Sequence, residues 1–130
     1  MIVIDASAML EVLLATPSGQ RIFDRIYADR TAPFAPELLD LEIAQVLRRL
    51  CRQGEVSEPR AQTALSDFAS LPINRLAHGP FMTRIWELRH NLTAYDAAYV
   101  ALAEGLACPL LTRDARLAAA PSHRAVVEVF

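Results

Sequence analysis

The sequence predicts an α/β fold with a mainly parallel central sheet, and three observations carry that expectation. Short apolar runs such as MIVI and PLLT recur along the chain. The longer stretches between them repeat their apolar residues every three or four positions, which is the helical period. The two signals alternate, and alternating strands and helices lay helices across a parallel sheet. At 130 residues, 53% hydrophobic and 22% charged, the chain reads as one domain, 1–130. That length buries roughly two-thirds of the unfolded surface.

The elements follow in order. Residues 2–5 (IVID) form the first strand, and Ser7 is expected to cap a short helix through Leu14. Pro17-Ser18-Gly19 ends that helix, with Ser18 capping the next, GQRIFDRIYADR, whose Ile22, Ile26 and Tyr27 share a face. TAPFAP at 31–36 is a short second strand. A strong amphipathic helix runs from Glu37 to Arg52, with Leu39, Ile43, Val46, Leu47 and Leu50 in one stripe and Gly54 as its stop. Ser57-Glu58-Pro59 opens another helix to Leu71, proline falling in the first turn where its missing N–H costs nothing. Residues 72–76 read as a strand, 79–90 and 94–106 as helices. Pro109–Thr112 reads as a strand, Ala115–Ala120 as a short helix, and Ala125–Phe130 as the last strand.

Composition narrows the function classes. Net charge is −2 and the isoelectric point about 5.9, so no global basic field advertises nucleic-acid binding. All 13 basic residues are arginine, which excludes any mechanism that requires a lysine. Cys51 and Cys108 have neither metal-ligand spacing nor the pattern of a disulfide framework, and read as free thiols in a reducing compartment. No apolar stretch is long enough for a membrane span, and the first residues lack a signal peptide's charged region, so a cytoplasmic location is expected.

Four acids stand out. Asp5 ends a wholly apolar strand, where a carboxylate is costly unless something partners it. It is either a turn residue or a member of a site at the strand ends, the usual ligand crevice of a parallel sheet. Asp114 follows PLLT as Asp5 follows MIVI, and reads as a helix N-cap or a second site member. Asp96 lies three residues after Thr93, where an acid completes a capping box. Its small neighbours Ala97, Ala98 and Ala101 also permit close approach of another element. Glu42 sits at the edge of the Leu39–Val46 stripe, as a surface glutamate or a fourth site member.

If the two strands are neighbours, the four carboxylates converge. Two unit charges 4 Å apart repel by about 4 kcal/mol at an effective dielectric near 20, so such a cluster needs a cation. Carboxylate ligands suit a hard divalent ion, Mg²⁺ or Mn²⁺, rather than zinc. Acidic crevice and hard metal together suggest phosphodiester hydrolysis.

VIDAS at 3–7, ELLDLEIAQVLRR at 37–49, LTAYDAAYVALAE at 92–104 and LLTRD at 110–114 resemble the PIN-domain nucleases, most of all the VapC-type toxins of bacterial toxin–antitoxin modules. The likeness covers nearly the whole chain in order, and the third motif is the most specific. It implies a three-layer α/β/α sandwich with four to five strands. It also places Asp5, Glu42, Asp96 and Asp114 as the acidic quartet holding Mg²⁺, with Asp5 and Asp96 binding most directly. Ser7 and Thr112 match the hydroxyl positions beside the first and last acids, near substrate. Gln45 departs from the pattern, standing where asparagine is common. Members cleave RNA, often tRNA or rRNA, usually dimerise, and are silenced by a small VapB-like antitoxin that also binds operator DNA.

An acidic crevice repels RNA unless local arginines offset it. Arg113 is the first candidate, followed by Arg84, Arg89 and Arg116. The first helix, AMLEVLLA, is apolar on more than one face, which suits core burial and, beyond that, a second copy or an antitoxin segment. Haloacid-dehalogenase-like phosphatases and response-regulator receivers also put an aspartate at a strand end, but both rely on a lysine that this chain lacks. A catalytically silent RNA-binding or scaffold domain of the same fold is the remaining alternative.

Overall fold

The computed structural model describes residues 1–130. In chain order the elements are β1 (Val3–Ile4), α1 (Ala6–Leu13), α2 (Pro17–Asp29), β2 (Phe34–Pro36), α3 (Leu38–Arg52), α4 (Glu58–Ser70) and β3 (Asn74–Leu76). A 3₁₀ turn at Gly79–Phe81 follows, then α5 (Met82–Glu87), α6 (Ala94–Leu106), β4 (Leu110–Thr112), α7 (Ala115–Ala119) and β5 (Val127–Val129). All five strands are parallel, in the order β3-β2-β1-β4-β5. The fold is the α/β/α arrangement expected of the sequence.

β1 lies at the centre because its residues tolerate no water. Ile2, Val3 and Ile4 are wholly buried, as a strand covered on both faces requires. α6 crosses β1, β2 and β4, and its run of small residues, Ala97, Ala98, Ala101 and Ala103, lets it lie close to them. α3 buries Leu39, Ile43 and Leu47 and leaves Val46 and Leu50 half-buried at the edge of the stripe. α1 packs along α2 with Gly19 at the contact: a Cβ there would stand 2.0 Å from the Glu11 carbonyl oxygen. α1 also buries Ala6, Ala8, Met9, Leu10 and Leu13, which accounts for most of its apolar excess. No helix is long and apolar enough to cross a membrane. Both cysteines are free.

Three local expectations are corrected. Asp5, not Ser7, caps α1: its backbone is extended and its side chain accepts from the Ala8 N–H, while Ser7 lies inside the helix. Thr16, not Ser18, caps α2, because Pro17 supplies the pre-set φ of a first helical position instead of ending the helix before it. The segment 79–90 is no single helix: Pro80 sits in a tight 3₁₀ turn, and α5 stops at Glu87 in a series of turns.

The strand order places the functional end. From β1 the chain steps outward to β2 and β3, then returns to the other side of β1 for β4 and β5. The order therefore reverses between β1 and β4, the position at which parallel sheets open a crevice beyond their carboxyl ends. Asp5 follows β1 and Asp114 follows β4.

Candidate active site

A cavity of about 880 Å³ opens beyond those strand ends, and Asp5, Glu42, Asp96 and Asp114 all line it. Each comes from a different part of the chain. Register pairs Ile4 with Leu111, and the Asp5 N–H donates to the Leu111 carbonyl at 3.1 Å. Asp5 is thereby fixed level with Thr112. Asp96 stands in the first turn of α6, its N–H donating to the Thr93 hydroxyl at 3.2 Å, so Thr93 caps as expected. α3 turns Leu38, Glu42, Gln45 and Arg49 toward the cavity, a spacing of four, three and four residues that keeps one helix face.

Asp5 is the most tightly held. It is 6% exposed, and Oδ1 accepts from the Ser7 hydroxyl at 2.7 Å and the Ala8 N–H at 2.9 Å. Oδ2 accepts from the Thr112 hydroxyl at 2.5 Å. A carboxylate offers about four lone-pair sites, so these bonds leave one, on Oδ2. Ser7 and Thr112 in turn accept the N–H groups of Arg113 and Asp114, at 2.8 and 2.9 Å. Two hydroxyls thus lock the β4–α7 turn onto the end of β1. Thr112 is wholly buried and absent from the cavity wall, so the substrate contact expected of it is corrected to a role in holding Asp5. Ser7 does reach the cavity.

Glu42 has a partner that sequence reasoning missed. The Tyr99 hydroxyl donates to its Oε2 at 2.6 Å from α6. Tyr99 is 2% exposed, and it lies three residues after Asp96 on the same helix face. That spacing was the available signal; the Tyr99–Glu42 pairing, across 57 positions, was not readable. The Gln45 side chain makes no hydrogen bond, so support of Glu42 comes from Tyr99.

The electrostatics mark a charged crevice. Burial pushes the Asp5, Glu42 and Asp96 carboxyls above their ordinary values. Hydrogen bonds pull all three partly back, Thr93 and the nearby Arg116 charge doing so for Asp96, while neighbouring carboxylates push upward: Asp96 on Asp5, Asp5 and Asp96 on Glu42, and Asp114 on Asp96. Asp114 goes the other way, held low by the Arg116 guanidinium.

The arginines sort by position. Arg113 and Arg116 line the cavity; Arg84 and Arg89 do not. Arg84 binds Glu104, Glu87 and the Ser122 carbonyl, tying α5 to α6 and the C-terminal turn. Arg89 stacks on Trp86, 4.7 Å from the ring centre. Arg113 donates to the Phe130 carbonyl and stands 3.7 Å from Glu11, and Arg116 is bound to Asp114; Arg49 on α3, which sequence reasoning missed, also lines the cavity and its side chain makes no hydrogen bond or ion pair.

The donor set fits a hard cation: five carboxylates line the cavity, Glu11 engaged by Thr16 and Arg113 and the other four those expected, with no histidine or cysteine among the lining residues. No three acidic side chains are drawn close enough to hold an ion between them. Asp114 is turned to Arg116.

A sequence profile described as the PIN domain matches residues 2–122. The chain belongs to the PIN-domain family. It is 45% identical over 120 residues to Ribonuclease VapC1 of Mycobacterium tuberculosis, covering 92% of this chain and 90% of that one. It is 39% identical over 129 residues to Ribonuclease VapC12 of the same organism, covering 99% and 98%. Among solved structures it superposes on VapBC2 from Rickettsia felis, bound to a promoter DNA fragment, with a TM-score of 0.73. That match covers 99% of this chain and 98% of the other at 13% identity, and speaks for the PIN fold.

Proposed function

We propose that this PIN-domain protein is a metal-dependent endoribonuclease, the toxin of a VapBC-type toxin–antitoxin pair. One observation carries the reading: four carboxylates from separate segments line a single cavity where the strand order reverses. Relatives named as VapC ribonucleases, matched over nearly the whole chain, support it.

Asp5, through its free Oδ2 site, and Asp96 would hold Mg²⁺ or Mn²⁺ most directly, with Asp114 and Glu42 completing the set directly or through water. A divalent ion bound there supplies charge on the scissile phosphate and an acidified water. Glu42 would orient a water and accept a proton at Oε1, because Tyr99 occupies only Oε2. Asp114, held low by Arg116, is the weaker base. Arg49, Arg113 and Arg116 supply positive charge at the cavity of an otherwise acidic chain, and Ser7 stands beside the phosphate.

The partner set follows from the same reading. A VapB-like antitoxin covers the chain, as the paired Rickettsia felis proteins suggest, and brings it to operator DNA. The free toxin is a cytoplasmic, single-domain homodimer acting on tRNA or rRNA.

The test is cleavage of RNA by the purified chain with Mg²⁺, compared with Asp96→Asn. The variant should fold normally and lose activity by at least about a hundredfold. Wild-type RNA binding without cleavage under any divalent metal would favour the scaffold alternative instead.

A further inference from the structure

Of the five helices with eight or more residues, four begin on a side-chain cap of their own: Asp5 for α1, Thr16 for α2, Ser57 for α4 and Thr93 for α6. α3 does not. The residue before it, Glu37, is already helical and its carboxylate caps nothing. The N–H groups at the head of α3 are met instead by β3 and the segment after it. Glu37 donates to the Leu76 carbonyl at 3.0 Å, and Leu38 donates to Nε2 of His78 at 3.3 Å, across 40 positions. Arg75 adds an ion pair to Asp40 at 2.7 Å. The helix held this way carries Glu42 about one turn beyond Leu38, and both line the cavity.

We propose that His78 serves as the missing N-cap of α3 and through it positions Glu42, so that Glu42 is held at the cavity only while the imidazole is neutral. This rests on reading Glu42 as a metal-site acid and adds a control on it. Nε2 accepts the Leu38 N–H only when the ring proton sits on Nδ1; in the imidazolium both nitrogens are donors. Protonation therefore sets N–H against N–H, and it places a cation at the positive end of the helix dipole. Both effects release the same end of α3. Histidine is the residue type that changes charge between about pH 5 and 8, so the release falls in a physiological range. The other charged groups on the elements that meet here are Glu37 and Asp40 of α3, Arg75 of β3 and Glu104 of α6, whose Gly105 packs on Phe81 of the 3₁₀ turn. Asp40 is bound by Arg75 and Glu104 by Arg84, which leaves Glu37 as the one unpaired carboxylate. His78 lies off the cavity wall and acts on Glu42 only through the helix, which makes it a positioning residue.

The experiment compares the full wild-type chain with His78→Leu, which has no acceptor, and His78→Gln, whose Oε1 stands where Nε2 does and does not titrate. In the metal-free wild type at about pH 8, nitrogen NMR of the imidazole should place the proton on Nδ1. Amide exchange at Leu38 should quicken roughly two- to 30-fold in His78→Leu, the range for losing a helix N-cap, and return close to wild type in His78→Gln. Mn²⁺ affinity is then measured across the histidine range, from about pH 8 to about pH 5.5. Carboxylate protonation weakens each chain alike and cancels in the ratio of wild type to His78→Gln, and that ratio should fall severalfold on acidification. His78→Leu should bind Mn²⁺ severalfold more weakly than His78→Gln at either end. A proton on Nε2, Leu38 exchange unmoved in His78→Leu, or a ratio flat with pH each overturns the proposal. Leu38 exchange that follows His78 in a chain that takes up no Mn²⁺ would uphold the cap and overturn the metal-site reading.

Discussion

The Arg116 guanidinium grips both oxygens of Asp114, its Nη2 2.7 Å from Oδ2 and its Nε 3.0 Å from Oδ1. One of the four acids proposed to hold the metal is thus neutralised by a cation of its own chain, two residues along. The pair lies at the surface, where solvent screens it and the long arginine loses rotamer freedom to hold it. A divalent ion in the cavity competes for the same carboxylate. Arg116→Gln should therefore tighten Mn²⁺ binding severalfold in calorimetric titration. Unchanged or weaker binding would mean that Asp114 takes no part in holding the ion.

The buried acids should destabilise the metal-free chain in a pH-dependent way. Burial raises the Glu42 carboxyl above its unfolded value, so its contribution to stability is complete below the ordinary carboxylate range, about 4.3. It is lost as pH rises through the folded value. Glu42→Gln removes the charge and keeps an oxygen for the Tyr99 hydroxyl. In chelator, its Tm should exceed wild type at neutral pH and match it near the lower end of the range. A Tm that falls at neutral pH would contradict this.

Tyr99 should act through Glu42. Its donated hydrogen bond stabilises the ionised carboxylate, so Tyr99→Phe raises the Glu42 value further. The acid limb of the pH–rate profile should move to higher pH. Activity at neutral pH should fall about 10- to 100-fold, the usual cost of losing a group that supports a metal ligand or base. A drop in rate with an unmoved acid limb would assign Tyr99 to packing alone.

Gly19 makes a structural prediction that bears on the site, since α1 carries Ser7 and begins at Asp5. A methyl group there meets the Glu11 carbonyl and must push α1 from α2. Gly19→Ala should cost about 1–3 kcal/mol in denaturant titration, the range for overpacking. Gly79→Ala, with open space around its Cβ position, is the control and should change little.

How much of this was readable beforehand depends on range. Asp5 and Asp114 announced themselves because an acid ending an apolar strand is expensive without a reason. β1, α3 and α6 followed from periodicity, and the alanines around Asp96 foretold close packing on the sheet. Helix starts were harder. Asp5 and Ser7, like Thr16 and Ser18, are alternative caps two residues apart, and the choice is made by which backbone stays extended. That choice is set by neighbouring strands and by Pro17. Contacts across long sequence separations left no local trace: Thr112 on Asp5, Tyr99 on Glu42, and Arg84 drawn away to Glu104. A residue's position beside a motif does not say which way it points, which is why Thr112 was expected at the substrate and is buried.

The central claim is that Asp5, Glu42, Asp96 and Asp114 serve one divalent site. Mn²⁺ binding, followed by electron paramagnetic resonance of the full chain, tests it most directly. Wild type should take up Mn²⁺ saturably, and Asp5→Asn and Asp96→Asn should each lose that uptake while keeping the native fold. Uptake by either variant equal to wild type, or none by the wild-type chain, would contradict it.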